Sequence, residues 1–239
     1  TVSQAVLLYA HQHPHNCLKE WLDSLEWDHV ERISDCFSDH FGAANTAYVR
    51  AASKNFWLSM LARAYVPGCK SDYMVVLEGK QGSKKSTALS IIGGDWYFEQ
   101  LEPATGKGFF EAIQGKLLIE ISEFDSFQRA EITRVKQVIT CRVDRFRPSY
   151  GRYSKDHPRK CIFAATTNKD DWNRDETGAR RFWPIRCNED IDLDAIRANR
   201  NQLFAEAVHE FKAGATWWEM PIDATKSEQD HRYEHDSWS

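Results

Sequence analysis

The sequence predicts an α/β fold in which five mainly parallel strands are sandwiched by helices and preceded by an N-terminal helical domain. Three observations predict it. Short apolar runs of strand length recur (Tyr73–Leu77, Leu117–Ile121, Cys161–Ala165), and each ends in glycine, acid or amide. Segments with apolar residues three and four apart lie between and before them, as helices require. The first run breaks into Gly79-Lys80-Gln81-Gly82-Ser83-Lys84-Lys85-Ser86-Thr87, the order strand, tight turn, helix start.

Residues 1–68 read as helical and collar-like, in four segments: VSQAVLLYAHQ, NCLKEWLDSLEW, DHVERISDCFSDHFG and TAYVRAASKNFWLSMLARAYV. Breaks are expected at His13-Pro14, near Gly42 and at Pro67-Gly68. Trp21, Trp27 and Trp57 are spaced as packing residues. His11, His13 and His15 alternate around Pro14 without a Cys or carboxylate at matching spacing, so a metal reading is set aside. A nucleotide-loop domain follows over 69–220, and 221–239 is a polar, helix-compatible tail.

The turn after the first strand carries the chemistry of phosphate binding. Gly79 and Gly82 let backbone N–H groups turn inward around an anion. Ser83, Lys84, Lys85 and Ser86 continue the turn, and Thr87–Ile92 can follow as the helix whose N-terminal dipole favours negative charge. Lys85 supplies a point charge for the outer phosphates of ATP, and the Ser86 hydroxyl is placed to hold Mg²⁺. In the pattern G-x-x-x-x-G-K-[ST] the second glycine slot holds Lys84. Either the loop is reshaped there or Lys84 adds a second cation.

Gly93–Gln100 suggests a turn and short strand, the next segment a loop and short helix, and Gly106-Lys107-Gly108 a flexible turn. Lys116–Asp125 (KLLIEISEFD) reads as a buried strand beside the phosphate loop, with Glu120 at the metal-side position. Glu123 is the candidate for polarising a water and Asp125 its reserve. Gln128–Thr140 reads as a helix. CIFAATTN places Asn168 at a strand end, where an amide bonds a γ-phosphate or water without repulsion. Before a fifth short strand stand Arg180 and Arg181; either is placed to stabilise transition-state charge in a neighbouring subunit, with pairing to nearby aspartates as the alternative.

The chain has a formal charge of −4, yet residues 129–160 hold ten Lys and Arg against three Asp and Glu. Within that segment a β-hairpin with Tyr150-Gly151 near its bend is expected. Arg145, Arg147, Arg152 and Lys155 would track phosphates and Tyr150 or Tyr153 stack on a base, unless the arginines neutralise nearby acids. Six scattered cysteines with no C-x-x-C pair fit reduced thiols and a cytoplasmic location. No run approaches membrane-spanning length, no signal peptide is seen, and the missing initiator Met points to a fragment.

In PGCKSDYMVVLEGKQG, LIEISEFD, DRFRPSYGR, TTN and GARRFWPIR the chain resembles the virulence-associated protein E (VapE/VirE) family of phages and mobile elements, itself similar to superfamily 3 AAA+ helicases. The resemblance implies a P-loop domain of AAA+ type and an ATP-driven DNA helicase or translocase. It further implies a homo-hexamer around single-stranded DNA, a primase domain or partner, and work in replication inside a bacterial host. It implies Lys85 and Ser86 as phosphate-loop residues, Glu120 and Glu123 as the acidic pair, Asn168 as sensor, Arg180 or Arg181 as finger, and Arg152 near a pore-hairpin tip. Two other functions fit the residues: a nucleotide-switched assembly factor that grips DNA without unwinding it, and a small-molecule P-loop kinase with its arginines in cis.

Overall fold

The computed structural model describes residues 16–100, 106–149, 151–169, 172, 179–188 and 191–230. Its centre is a five-stranded sheet in the order β2 (Tyr97–Gln100), β3 (Leu118–Ile121), β6 (Ile162–Thr167), β1 (Met74–Glu78), β7 (Phe182–Arg186), with all four pairings parallel. The β1, β3 and β6 runs are buried along their whole length, as expected of parallel strands covered on both faces.

Alternation along each strand divides the side chains between two cores. Val75, Leu77, Leu118, Ala164, Trp183 and Ile185 face α1 (Cys17–Asp23), α2 (Cys36–Phe41), α3 (Ala47–Tyr65), α4 (Lys85–Gly93) and α7 (Leu193–Lys212). Met74, Val76, Ile119, Ile121, Phe163 and Phe182 face α5 (Gly106–Ala112) and α6 (Arg129–Thr140). An eighth helix, α8 (Ile222–Asp230), contacts β7 and α3.

The N-terminal helices do not build a core of their own, as a separate collar requires. Leu22, Phe37, Phe56, Trp57 and Leu61 share one cluster with the sheet and with Leu203 and Phe204 of α7. Trp57 is fully buried, edge-on to Phe204 at 5.1 Å. Helix α3 is buried nearly all round, which is why its apolar pattern is continuous rather than one-sided.

The expected helix over DHVERISDCFSDHFG is reduced to Cys36–Phe41. The buried Glu206 carboxylate of α7 accepts the backbone N–H groups of Arg32 (2.6 Å) and Ile33 (3.0 Å), so this backbone is satisfied by tertiary contact instead of a helical ladder. Gly42 ends α2 in the left-handed conformation. The expected turn at Gly106-Lys107-Gly108 is instead the start of α5, where first-turn amides have no intrahelical partner to lose. The expected first helix VSQAVLLYAHQ, the His13-Pro14 break and residues 231–239 lie outside the described residues.

Strands β4 (Val143–Phe146) and β5 (Lys155–Pro158) form the antiparallel hairpin. A Gly151 N–H to Pro148 carbonyl bond of 2.9 Å closes a turn at the bend; Tyr150 lies outside the described residues. The hairpin is fastened by Asp144 of β4, which is buried and ion-paired with Arg159, also buried. Arg159 donates in addition to the Val138 carbonyl of α6, and its own carbonyl accepts from Gly68 at 2.8 Å. Removing one partner of a buried pair strands the other charge, so Asp144→Ala is expected to cost about 3–5 kcal/mol in denaturant unfolding. The double variant Asp144→Ala/Arg159→Met is expected to recover most of that loss; equal losses in both would reject the pairing as the fastening.

Candidate nucleotide site

The chain leaves β1 at Glu78, crosses to the edge strand β2, steps back inward through β3, and returns by β6 into the gap between β3 and β1. Ligand crevices in open parallel sheets lie outside the carboxyl ends of the strands where the order reverses. A cleft of about 370 Å³ lies there, lined by Gly82, Ser83, Lys84, Lys85, Ser86 and Thr87 of the loop and α4, Glu99 of β2, Ser122 and Glu123 after β3, and Thr166 and Asn168 of β6 and its end.

The loop needs backbone that only glycine adopts freely. Gly79 has φ +157° and Gly82 φ +86°, and a Cβ on Gly79 would sit 3.2 Å from the Cys187 carbonyl. Lys84 is also left-handed, at φ +65°. The glycine slot of the pattern therefore keeps its glycine-like geometry here, with a side chain that pays strain to hold it. The residue after it begins α4, whose first turn lines the cleft.

Lys85 is buried, and its Nζ donates to the carbonyls of Gly79 (2.6 Å) and Lys80 (3.0 Å), to Ser83 Oγ (3.1 Å) and to Asn168 Oδ1 (3.4 Å). Burial pulls the Lys85 ammonium below its ordinary pKa, opposed by Cys187, Asp125 and Glu120. Asn168 is exposed at the cleft, while its N–H donates to Asp125 Oδ1 at 3.3 Å. Asp125 also accepts from Thr167 Oγ1 at 3.0 Å, so this carboxylate is occupied tying the β3 exit to β6. Glu123 is the carboxylate after β3 that lines the cleft; it is exposed, with left-handed backbone at φ +52°. Strain of this kind collects at functional sites.

Glu120 meets Ser86 of the loop from within the sheet. Strand β3 is not beside β1, since β6 lies between, and Glu120 is fully buried behind the cleft wall. It reaches the loop through a hydroxyl: Ser86 Oγ donates to Glu120 Oε1 at 2.6 Å, and Thr166 Oγ1 donates to the same oxygen at 2.7 Å. Its place with respect to a cation at Ser86 is thus behind the hydroxyl rather than in the cleft. Among the described residues no group of three or more His, Cys, Asp or Glu side chains is arranged to hold a metal ion, so such a cation would rely on Ser86 and on oxygens of a bound phosphate, as magnesium commonly does.

Arg180 and Arg181 do not join this cluster. They form a single helical turn entering β7, and the β1–β7 register pairs Met74 with Phe182 and Glu78 with Arg186. Both arginines stand at the amino edge of the sheet, one strand length, about 17 Å, from the Gly79–Thr87 loop. There Arg180 borders a groove with Tyr73, Trp183, Trp218, Ile222 and Lys226.

The hairpin presents Arg145, Arg147, Arg152, Tyr153 and Lys155 to solvent. Arg145 pairs with Asp156 at 3.0 Å. The basic segment is not all surface, because Arg159 and Lys136 are buried. Cys36, Cys161 and Cys187 are free thiols that burial pushes up to about 12.

Compared with known families, the chain matches the virulence-associated protein E-like domain over residues 22–237. The chain belongs to this VapE-like family. No curated protein matches it. Among solved structures the VapE-like chain is similar to the apo structure of the NrS-1 C-terminal region (305–718), with TM-score 0.59 and 17% identity over 89% of this chain and 54% of that one. A second apo structure of that region, in an A form, gives TM-score 0.58 and 16% identity over 89% and 54%. The VapE-like chain spans about half the length of the solved chains it matches, and at this identity the likeness is one of fold. No helix among the described residues is long and apolar enough to cross a membrane.

Sequence reading missed Tyr97, Glu99 and Thr166. The signals were there: Tyr97 and Glu99 alternate along β2 toward the face of Glu120, and Thr166 stands near the end of β6, two residues before Asn168. The left-handed slot yields a direct check. Lys84→Gly is expected to be about 1 kcal/mol more stable than Lys84→Ala in urea unfolding, because glycine alone relieves the positive φ. Equal stabilities would contradict the strained loop.

Proposed function

We propose that the carboxyl-edge cleft binds ATP with Mg²⁺ and hydrolyses it, in a P-loop domain of AAA+ type, and that turnover drives a homo-oligomeric helicase or translocase on single-stranded DNA. The observation that carries this reading is convergence. The Gln81–Thr87 stretch, Glu123 and Asn168 arrive from separate elements at one cleft, and Lys85 in its lining is bonded to the Gly79 carbonyl and to Asn168. The residues present fit the group: positive-φ glycines, the N-terminus of a nine-residue helix, a lysine and a hydroxyl together form an anion cradle.

In this mechanism Lys85 gives up its loop carbonyls to neutralise the outer phosphates, and loop and α4 amides hold the inner ones. Bound magnesium supplies charge neutralisation at the phosphate oxygens. Ser86 offers it an oxygen lone pair while still donating its proton to Glu120. Glu123, exposed in the cleft, orients the attacking water. Asn168 senses the γ-phosphate through its amide. Asp125 positions that amide from behind through the backbone N–H.

The position of Arg180 and Arg181 favours an oligomer over a monomeric kinase. At the far edge of the sheet neither reaches the chain's own loop, so transition-state stabilisation by either arginine requires a neighbour's cleft. A contact between two different faces of one subunit is heterologous and closes into a ring when the rotation permits; we propose a hexamer. The exposed hairpin cations and Tyr153 suit a nucleic-acid backbone and base. Family membership supports a role in replicating a phage, plasmid or pathogenicity island, with a primase as neighbour domain or partner, in the cytoplasm of a bacterial host.

Lys85→Ala is expected to lower ATP turnover by about 10²-fold or more while leaving the melting temperature close to wild type. Retained turnover would place hydrolysis elsewhere. Mixing Arg180→Ala/Arg181→Ala subunits with wild type is expected to depress turnover more steeply than simple dilution. Linear dilution would mean that neither arginine acts across subunits.

A further inference from the structure

The bond between Tyr97 and Glu120 has no part in the proposed reaction. Glu120 has no exposure, and both of its oxygens are engaged. One side is shared by Ser86 and Thr166, the hydroxyls of the loop helix and the central strand. The other oxygen, Oε2, accepts from the hydroxyl of Tyr97 at 2.5 Å. Tyr97 opens β2, the outermost strand on this side of the sheet, and no part of the phosphate-loop pattern calls for it.

A carboxylate can rotate about its terminal bond, and which oxygen it turns to Ser86, and at what angle, decides where the Ser86 proton points. With Oε2 fixed by a phenol, Oε1 is held toward Ser86, and the lone pairs of Ser86 Oγ are left for the cleft. Groups of this kind behind a metal-binding oxygen orient it and set its affinity. Burial, reinforced by the Glu120 carboxylate, raises the Tyr97 phenol above its ordinary pKa, so it remains a donor throughout the neutral range.

The backbone is built to permit the contact. A Cβ added at Gly93, the last residue of α4, would fall 2.6 Å from Cβ of Tyr97. That is closer than two such atoms approach, so a side chain at 93 would push Tyr97 away. The same helix that carries Ser86 at its start thus ends in the glycine that lets Tyr97 close on Glu120.

We infer that Tyr97 is a positioning residue for the magnesium side of the nucleotide cleft, acting through Glu120 on the Ser86 hydroxyl. The inference rests on the nucleotide reading above, and it assigns Tyr97 no contact with substrate or metal.

The test is the Mg²⁺ dependence of binding of a fluorescent, non-hydrolysable ATP analogue to the full chain, for wild type, Tyr97→Phe and Gly93→Ala. Tyr97→Phe keeps the ring and removes only the donor. It is expected to raise the Mg²⁺ concentration for half-maximal tightening by about tenfold, with affinity in EDTA unchanged. Gly93→Ala keeps the phenol and displaces it, and is expected to shift the Mg²⁺ midpoint in the same direction. A Mg²⁺-responsive wild type with Tyr97→Phe superimposed on it overturns the inference alone. Loss of metal-free affinity in Tyr97→Phe, in proportion to the loss with Mg²⁺, overturns it too, since that is a general structural defect. A wild type whose analogue binding ignores Mg²⁺ overturns the nucleotide reading and this inference with it.

Discussion

Glu120 is a carboxylate with no exposure to water, and burying such a charge is tolerable only where donors replace its lost hydration. The donors come from three other elements: Ser86 at the start of α4, Thr166 near the end of β6 and Tyr97 at the start of β2. Satisfying one oxygen pair therefore fixes where a helix, a central strand and an edge strand sit relative to β3. Ser86 is brought to the cleft by the same bond that keeps Glu120 satisfied. The cost of a wrong register on any of these strands is an unpaired buried carboxylate.

A second consequence concerns the sheet as a whole. Parallel strands put every carboxyl end on one edge, so loops after β1, β3 and β6 meet there by topology alone, and Arg180 and Arg181, which precede β7, are left at the other edge. The two edges carry different chemistry. The carboxyl edge has the lysine-bearing loop with Glu99 and Glu123 in the cleft wall; the amino edge has arginine and lysine beside Tyr73, Trp183 and Trp218. Such polarity suits head-to-tail rather than face-to-face association. The hairpin is a separate appendage, held by the Asp144–Arg159 pair and by α6, so its exposed cations are mounted on a fixed base.

The inner strands β1, β3 and β6 were legible because each is buried along its whole length and so reads as a largely apolar run closed by a polar residue: Glu78, Ser122 and Asn168 each follow or end such a run. The loop was legible because glycine, lysine and hydroxyl at fixed spacing have few other uses, and the positive φ of Lys84 shows that the missing glycine changed the residue without changing the conformation. Legibility stopped where tertiary contact decides. Residues 28–35 have helical spacing, yet Glu206, far along the chain, captures their amides. The insertion of β6 between β1 and β3 leaves no local trace, because parallel neighbours are set by crossovers rather than by turns. The N-terminal helices looked like a domain of their own, since a pattern of apolar residues does not say which surface will cover them. Tyr97 was passed over for the same reason: its partner is in another strand.

The central claim is that the turn after β1 cradles a triphosphate. Backbone amide hydrogen exchange of residues 79–88, with and without a non-hydrolysable ATP analogue and Mg²⁺, tests it most directly, because the cradle is made of N–H groups. Strong slowing at these amides, together with Ser122–Glu123 and Asn168 and with little change in the 143–158 hairpin, is the predicted result. Nucleotide binding that leaves the 79–88 amides exchanging at their free rate would contradict the account.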